Sequence, residues 1–443
     1  MIQSFSIENF KSFRKATLPL APLTLLIGAN ASGKSNAIEA IQLLSWLASG
    51  RRLDNVLTAL REQELNLRGT PSDFTYQGAF IDLGCQLASV QTGPYRLSLT
   101  FSVRLKVGED GLGILSESLE SPDLATHFPL YKVVGPASRY SHEIQVAYNN
   151  FAQGGKKPHI ACIDQQAIFT QLSTPARFSA YHKASQSQIP AAATRLRQSL
   201  ESILFLDPNP RRMRGYSYIQ EKKLQGDGAA LSSVLYRLIQ EEKQKEVLLD
   251  FIRSLPEQDI QDISFLEAPR DDVMVQLHEN FGDKVIPREA ALLSDGTLRV
   301  LAVAAAVLSV PKGSLVIIEE IDNGVHPSRA NLLLKNIQRI AHDRQIRVLI
   351  TTHNPALLDA IPPEAVPATV ACYRDPKEGD SRLIRLEDLA SYPELVAQGP
   401  LGRLVTRGIL DRFLKDPEKR DSAAKVEKGL AWISDFKRRA QSS

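Results

Sequence analysis

Residues 28–36 read GANASGKSN, directly behind the apolar run Leu23–Ile27 and directly before a stretch in which Ala37, Ile41, Leu44 and Ala48 recur at helical spacing. A buried strand, a glycine-rich turn and a helix in that order are what a phosphate-binding loop requires. Gly28 and Gly33 let the backbone curl, so that the peptide N–H groups of Ala29, Asn30, Ala31 and Ser32 turn toward phosphate oxygens. Lys34 brings a point charge toward the β- and γ-phosphates, the hydroxyl of Ser35 suits a Mg²⁺ ligand, and Asn36 closes the motif. The following helix aims its positive end at the same place. A glycine-rich turn without a ligand is the bland alternative, and the strand and helix on either side argue against it. The expected ligand is a nucleoside triphosphate with Mg²⁺.

Three further segments fit the same chemistry. Leu315–Ile318 is an apolar run of buried-strand character that ends in Glu319-Glu320. Acids there often mark only a solvated strand end, but beside a phosphate loop one carboxylate can hold the Mg²⁺ shell and the next can polarise water. Val348–Thr352 repeats the apolar pattern and ends at His353. That residue either caps a turn or meets the γ-phosphate, a role its adjustable protonation suits. In LLSDGTLR, residues 292–299, Ser294 or Asp295 is placed to cap the apolar segment Leu298–Val310, with Gly296 and Thr297 completing the tetrapeptide.

The order GANASGKSN, LLSDGT, LVIIEEIDNGVHP, ITTHN resembles the ABC-type ATPase heads of the SMC and RecF class, and more closely the predicted ATPases AAA15 and AAA_21. The resemblance covers nearly the whole chain, including IENFKSFRKATLPL, MRGYSY, LSSVLYRL and GPLGRLVTRGIL. It implies an α/β P-loop NTPase of ABC-head type, with an antiparallel subdomain in lobe I and a helical signature lobe. It makes Glu319 the magnesium-shell acid, Glu320 the catalytic base, Lys34 the phosphate lysine and His353 the switch histidine. Ser294, Asp295, Gly296 and Thr297 become the signature that touches ATP on a second subunit. Glu319 is one methylene longer than the aspartate most common in the wider class, and Ile321 and Val325 stand where relatives carry proline and leucine. For the glutamine that senses magnesium from lobe I, Gln77 in FTYQGAF is the candidate, with Gln86 and Gln91 nearby.

Composition agrees. The chain has 443 residues, 43% of them hydrophobic, enough for two or three lobes with substantial cores. A formal charge of +3 excludes a global polyanion binder, so any nucleic-acid surface must be a local patch. Cys85, Cys162 and Cys372 show neither metal spacing nor an even disulfide set, which points to a reducing cytoplasm. The longest strongly apolar stretch, around Val300–Val310, is too short to span a bilayer, so no membrane role is expected.

The expected division is 1–150 as lobe I with the phosphate loop and an antiparallel sheet, 151–297 as an insertion and helical lobe ending in the signature, and 298–443 as lobe II with a C-terminal segment. Within lobe I, Leu97 to Val107 alternate strictly as a half-buried antiparallel strand, with Ile144–Tyr148 as the expected neighbour. Ala229–Ile252 reads as helical. No sustained heptads separate Ser35 from Ser294, so the head lacks the arms of SMC proteins. The stretch after His353 is too short for a full Toprim nuclease, so any nuclease would act in trans.

Arg211, Arg212 and Arg214, interleaved with Tyr216 and Tyr218, suit contact with a nucleic acid, or equally a solvated loop or internal salt bridges. Lys437, Arg438 and Arg439 read as a terminal tail. The partners expected are a second copy of the chain, joined in an ATP-dependent dimer, and a separate effector such as a nuclease, as in antiphage complexes resembling Septu or PARIS. The rival is a DNA-binding repair or chromosome-maintenance ATPase; a third reading, a transporter ATPase, is disfavoured by the missing membrane-coupling features and the SMC-like opening.

Overall fold

The computed structural model describes residues 1–416 except 93–94, 109–110, 125–127, 136–141, 253–258, 283 and 322–326. Val325 and the Lys437 to Arg439 tail fall outside the described residues.

Three sheets carry the chain. The first is antiparallel and eight-stranded, in the order β2 (Phe13–Pro19), β1 (Ile2–Phe10), β4 (Phe80–Thr92), β5 (Tyr95–Gly108), β6 (Gly111–Glu120), β7 (Tyr131–Val133), β8 (Glu143–Tyr148), β9 (His159–Ile163). The alternation seen from Leu97 to Val107 is β5, whose neighbours are β4 and β6. The expected pairing with Ile144–Tyr148 is therefore corrected: that segment is β8, two strands beyond β6, because two further strands, β6 and β7, intervene.

The central sheet runs β10 (Leu204–Leu206), β15 (Leu315–Ile318), β16 (Arg347–Thr351), β3 (Leu23–Ile27), β17 (Val370–Arg374), β18 (Ser381–Arg385). All but β18 are parallel to their neighbours. Their near-continuous apolar character follows from burial on both faces. Leu26, Leu315, Ile317 and Leu349 pack on the side of the helix Lys34–Ala48 and the antiparallel sheet. Leu25, Ile27, Val316, Ile318, Val348 and Ile350 pack on the opposite side, with the helices Leu231–Gln240, Asp295–Ser309 and Pro327–Asp343.

A small third sheet, β11 (Ser217–Tyr218), β12 (Ile260–Ala268), β13 (Asp272–Phe281) and β14 (Lys284–Glu289), leads into the segment before Ser294. Ala229–Ile252 resolves into two helices, Leu231–Gln240 and Lys245–Ile252. Among the described residues no helix is long and apolar enough to cross a membrane.

Candidate nucleotide site

The parallel register decides where the motifs meet. Leu206 lies opposite Ile318, Ile318 opposite Ile350, and Thr351 opposite Leu26, so β10, β15, β16 and β3 end level with one another. The loops that follow them open at one sheet edge, the carboxyl edge, where open α/β sheets take ligands.

After β3 the chain turns through the phosphate loop. Gly28 has φ +151° and a Cβ there would stand 2.2 Å from the carbonyl oxygen of Cys372, while Gly33 has φ +120° and would meet Ser381 Oγ at 2.5 Å. Neither position accepts a side chain. The Lys34 ammonium folds back over the loop onto the carbonyls of Gly28 (2.7 Å) and Ala29 (3.0 Å). Burial lowers its pKa, opposed by Cys372 and Glu320. Ser381 Oγ and Cys372 Sγ both donate to the carbonyl of Ser32, tying the loop to β18 and β17.

β15 delivers Glu319 and Glu320. The Glu319 N–H donates to Leu206 O at 3.0 Å, and the Glu320 N–H to Thr351 Oγ1 at 3.1 Å. Glu320 holds φ +48°, a conformation costly for a residue with a Cβ and one that recurs at functional sites. The carboxyl of Glu319 is pushed up to about 6, chiefly by burial and then by Asp207, Glu320 and Glu39, with Arg68 opposing. After β16, Asn354 rather than His353 caps the next helix, its Oδ1 accepting from Ala356 N at 3.0 Å. His353 is exposed and faces the cleft.

A cleft of about 310 Å³ gathers Asn30, Ala31, Gly33, Lys34, Ser35, Asn36, Glu319, Glu320 and His353. Gly28, Ala29 and Ser32 shape the loop without lining the cleft. Ser294 to Thr297 are not among the residues lining this cleft. Ser294 Oγ accepts from Thr297 N at 3.1 Å, the cap expected of Ser294 or Asp295, and both of those residues are exposed at the start of the helix Asp295–Ser309. Gln77 does not line the cleft either. Its backbone is pinned by Asn9, which accepts from Gln77 N at 2.8 Å and donates to Gln77 O at 2.6 Å, and the side chain is exposed. Gln86 sits within β4, accepting from Ser4.

Arg68 and Asp207 at this edge are not singled out by the sequence. Arg68 lines the cleft from lobe I, donating through Nε to Glu39 (2.5 Å) and through Nη2 to Asn36 (3.0 Å). The buried Glu39 also receives Lys11. Asp207, at the end of β10, lines an adjoining cavity of about 660 Å³ with Ser35, Glu39, Arg68 and Glu319. The place on this edge next to Glu319 is therefore filled by Asp207, whereas Gln77 precedes β4 in the antiparallel sheet. Only the short apolar run LFL before Asp207 marks that strand in the sequence.

The basic cluster is spent partly inside the molecule. Arg214 binds the carbonyls of Ala291 and Leu293 and the carboxylate of Asp295. Arg212 pairs with Asp227 at 3.1 Å, and Arg211 is exposed.

A family model described as "AAA domain, putative AbiEii toxin, Type IV TA system" (AAA_21) matches residues 23–359. The DNA replication and repair protein RecF of Gloeobacter violaceus is 44% identical over 69 residues, 15% of this chain and 16% of that protein. RecF of a Cyanothece species is 32% identical over 104 residues, 23% of each. Among solved structures, an SMC head bound to the C-winged helix domain of ScpA is similar with a TM-score of 0.48 at 12% identity, covering 86% of this chain and 97% of that one. The SMC head of Pyrococcus furiosus bound to the C-terminal domain of ScpA scores 0.47 at 12% identity, covering 90% and 98%.

Proposed function

This chain belongs to the AAA_21 family, whose model matches residues 23–359, and on that premise we propose that it binds ATP with Mg²⁺, pairs with a second copy around two nucleotides and uses slow hydrolysis as a switch. The observation that carries the reading is the meeting of Lys34, Ser35, Glu319, Glu320 and His353 on one cleft. The site's own chemistry fits the cofactor. Ser35 and Glu319 offer hard oxygen ligands, and a carboxylate crowded by Asp207, Glu320 and Glu39 gains from a cation. Mg²⁺, when bound, supplies charge that neutralises the β- and γ-phosphate oxygens.

The remaining work falls to the chain. The loop N–H groups and Lys34 hold the phosphates, Arg68 adds a second cation from lobe I, and Glu320 draws a proton from the attacking water. His353, on the same cleft, would contact the γ-phosphate. The exposure of Ser294 and Asp295 outside their own chain's cleft supports a role for the signature in completing the γ-phosphate contacts of a partner. Charge-assisted bonds worth roughly 1.5–3 kcal/mol each make such pairing depend on ATP. The lobe boundaries expected at 150 and 297 do not fall between units of the fold: the first would part β8 from its partner β9, and the second lies inside the helix Asp295–Ser309.

For biological role we favour an antiphage ATPase subunit that governs an effector in trans, supported by the motif order and by a family description that names a toxin of a toxin–antitoxin system. The short RecF matches favour the second reading, a DNA-repair ATPase in which exposed Arg211, with Tyr216 and Tyr218, meets the backbone. ATP turnover measured on purified protein tests the core of the proposal. Hydrolysis that survives Glu320→Gln overturns it, and salt-dependent binding of plain duplex DNA shifts the role to the second reading.

A further inference from the structure

The opposite, amino-terminal edge of the central sheet carries a second concentration of positive charge, about 15 Å from the nucleotide cleft by the length of the strands. Arg347 opens β16, and its peptide N–H donates to Ser314 O at 3.0 Å. Arg195, on the helix Lys183–Glu201, reaches the same turn: its Nη2 lies 3.7 Å from where a Cβ at Gly313 would stand. Both guanidiniums act on the amino end of Met1, which places them in one neighbourhood.

Neither arginine has an ion-pair partner or a side-chain hydrogen bond among the described residues. Nε and Nη1 of Arg347 are buried without a partner, as is Oγ of Ser314, a residue only 2% exposed. Burial alone pulls the Arg347 guanidinium below its ordinary pKa, with no carboxylate acting on it. Arginine does not escape by losing its proton, so two like charges at a half-buried site are costly unless an anion joins them. Every unsatisfied group here can donate, and an oxyanion supplies the acceptor oxygens that such a set of donors lacks. From Arg195 an open groove of about 680 Å³ runs along the helix past Gln198, Thr194, Ser187 and Gln186, with no acidic residue in its lining.

We propose that Arg195, Arg347 and Ser314 form a second anion site that takes a phosphate group, with the amide- and hydroxyl-lined groove receiving the rest of the molecule that carries it. The site is independent of the nucleotide cleft.

The test uses the full chain with Lys34→Ala, so that the phosphate loop does not compete, and titrates it by calorimetry with inorganic phosphate and with a short oligothymidylate. At least one probe binds, and Arg195→Gln or Arg347→Gln weakens it tenfold or more. Without either probe, both variants melt no lower than the parent, because like-charge repulsion has been removed. A phosphate response alone identifies a small phosphorylated metabolite as the source, and a tighter oligothymidylate response identifies a nucleic-acid backbone. Binding of neither probe, binding indifferent to both substitutions, or melting of Arg195→Gln several degrees lower without a probe overturns the site. Should Arg347→Gln fail to fold, the partly exposed Arg195 carries the same test alone.

Discussion

Arg214 and Asp295 are joined by an ion pair, Nη2 to Oδ1 at 2.6 Å, while Nη1 of the same guanidinium binds the carbonyls of Ala291 (2.9 Å) and Leu293 (2.7 Å). One side chain thus fixes both the approach to the helix Asp295–Ser309 and its first acidic residue. In the proposed dimer it would act as a positioning residue for Ser294.

Arg214→Ala is expected to leave nucleotide binding by the phosphate loop within about twofold and to weaken ATP-dependent association at least tenfold, by the loss of about 1.5–3 kcal/mol of orienting hydrogen bonds. The pair is partly exposed, so thermal stability changes by only ~1 kcal/mol. Light scattering with ATP, beside a fluorescent-nucleotide titration, separates the two effects.

Lys34→Ala removes charge but no core packing. Its expected outcome is loss of ATP binding and hydrolysis with circular dichroism unchanged. Gly28→Ala is expected to fail differently: a Cβ 2.2 Å from Cys372 O at positive φ costs the fold roughly 3 kcal/mol, visible as a lower melting temperature.

Glu320→Gln keeps the shape of the side chain and loses the base, so ATP binds without turnover and the two heads stay closed. Ser294→Arg leaves the cleft of its own chain intact and blocks closure. Adding Ser294→Arg to Glu320→Gln therefore reverses the trapped association. Equal scattering from the double and single variants would show that each head works alone.

The Glu319 carboxyl is raised from 4.5 to about 6, chiefly by burial. The native protein therefore holds this proton where the unfolded chain has lost it, and the group's contribution to stability falls as pH rises from 4.5 to about 6. Magnesium held by Glu319, as proposed, would displace the same proton. Mg²⁺-dependent ATP affinity is accordingly expected to rise between pH 5 and 7 and level off above, by up to about tenfold per unit below 6. Glu319→Gln flattens that profile; an unchanged slope in the variant excludes Glu319 as the titrating group.

Glu117, buried in the antiparallel lobe, accepts from Tyr131 Oη (2.7 Å), Phe169 N (2.8 Å) and Ile168 N (2.8 Å). Glu117→Gln sets an amide donor against one of these N–H groups or the hydroxyl. The expected cost is about 2–3 kcal/mol, read from urea unfolding, with nucleotide binding by the cleft preserved.

The sequence by itself determined whatever depends on neighbours along the chain. Gly28, Gly33, Lys34 and Ser35 form a phosphate loop through local backbone geometry. Apolar runs that end at Glu319 and His353 mark strands buried on both faces, and Ser294 caps its helix three residues from Thr297. Tertiary structure decided what arrives from elsewhere. Arg68 enters the cleft because Glu39 on the loop's own helix binds it, and Asp207 stands beside Glu319 because the three-residue β10 pairs with β15 across more than a hundred positions of chain. Arg214 reaches Asp295 because the short helix Pro210–Met213, which it directly follows, packs against the helix Asp295–Ser309. Gln77, the candidate magnesium-sensing glutamine, lies ahead of β4 and does not line the cleft, a placement set by the antiparallel sheet rather than by its sequence neighbours. Strand order is fixed by the crossovers and hairpins between segments. A residue's charge and type say what it can bind, while the pairing of distant strands says what comes within its reach.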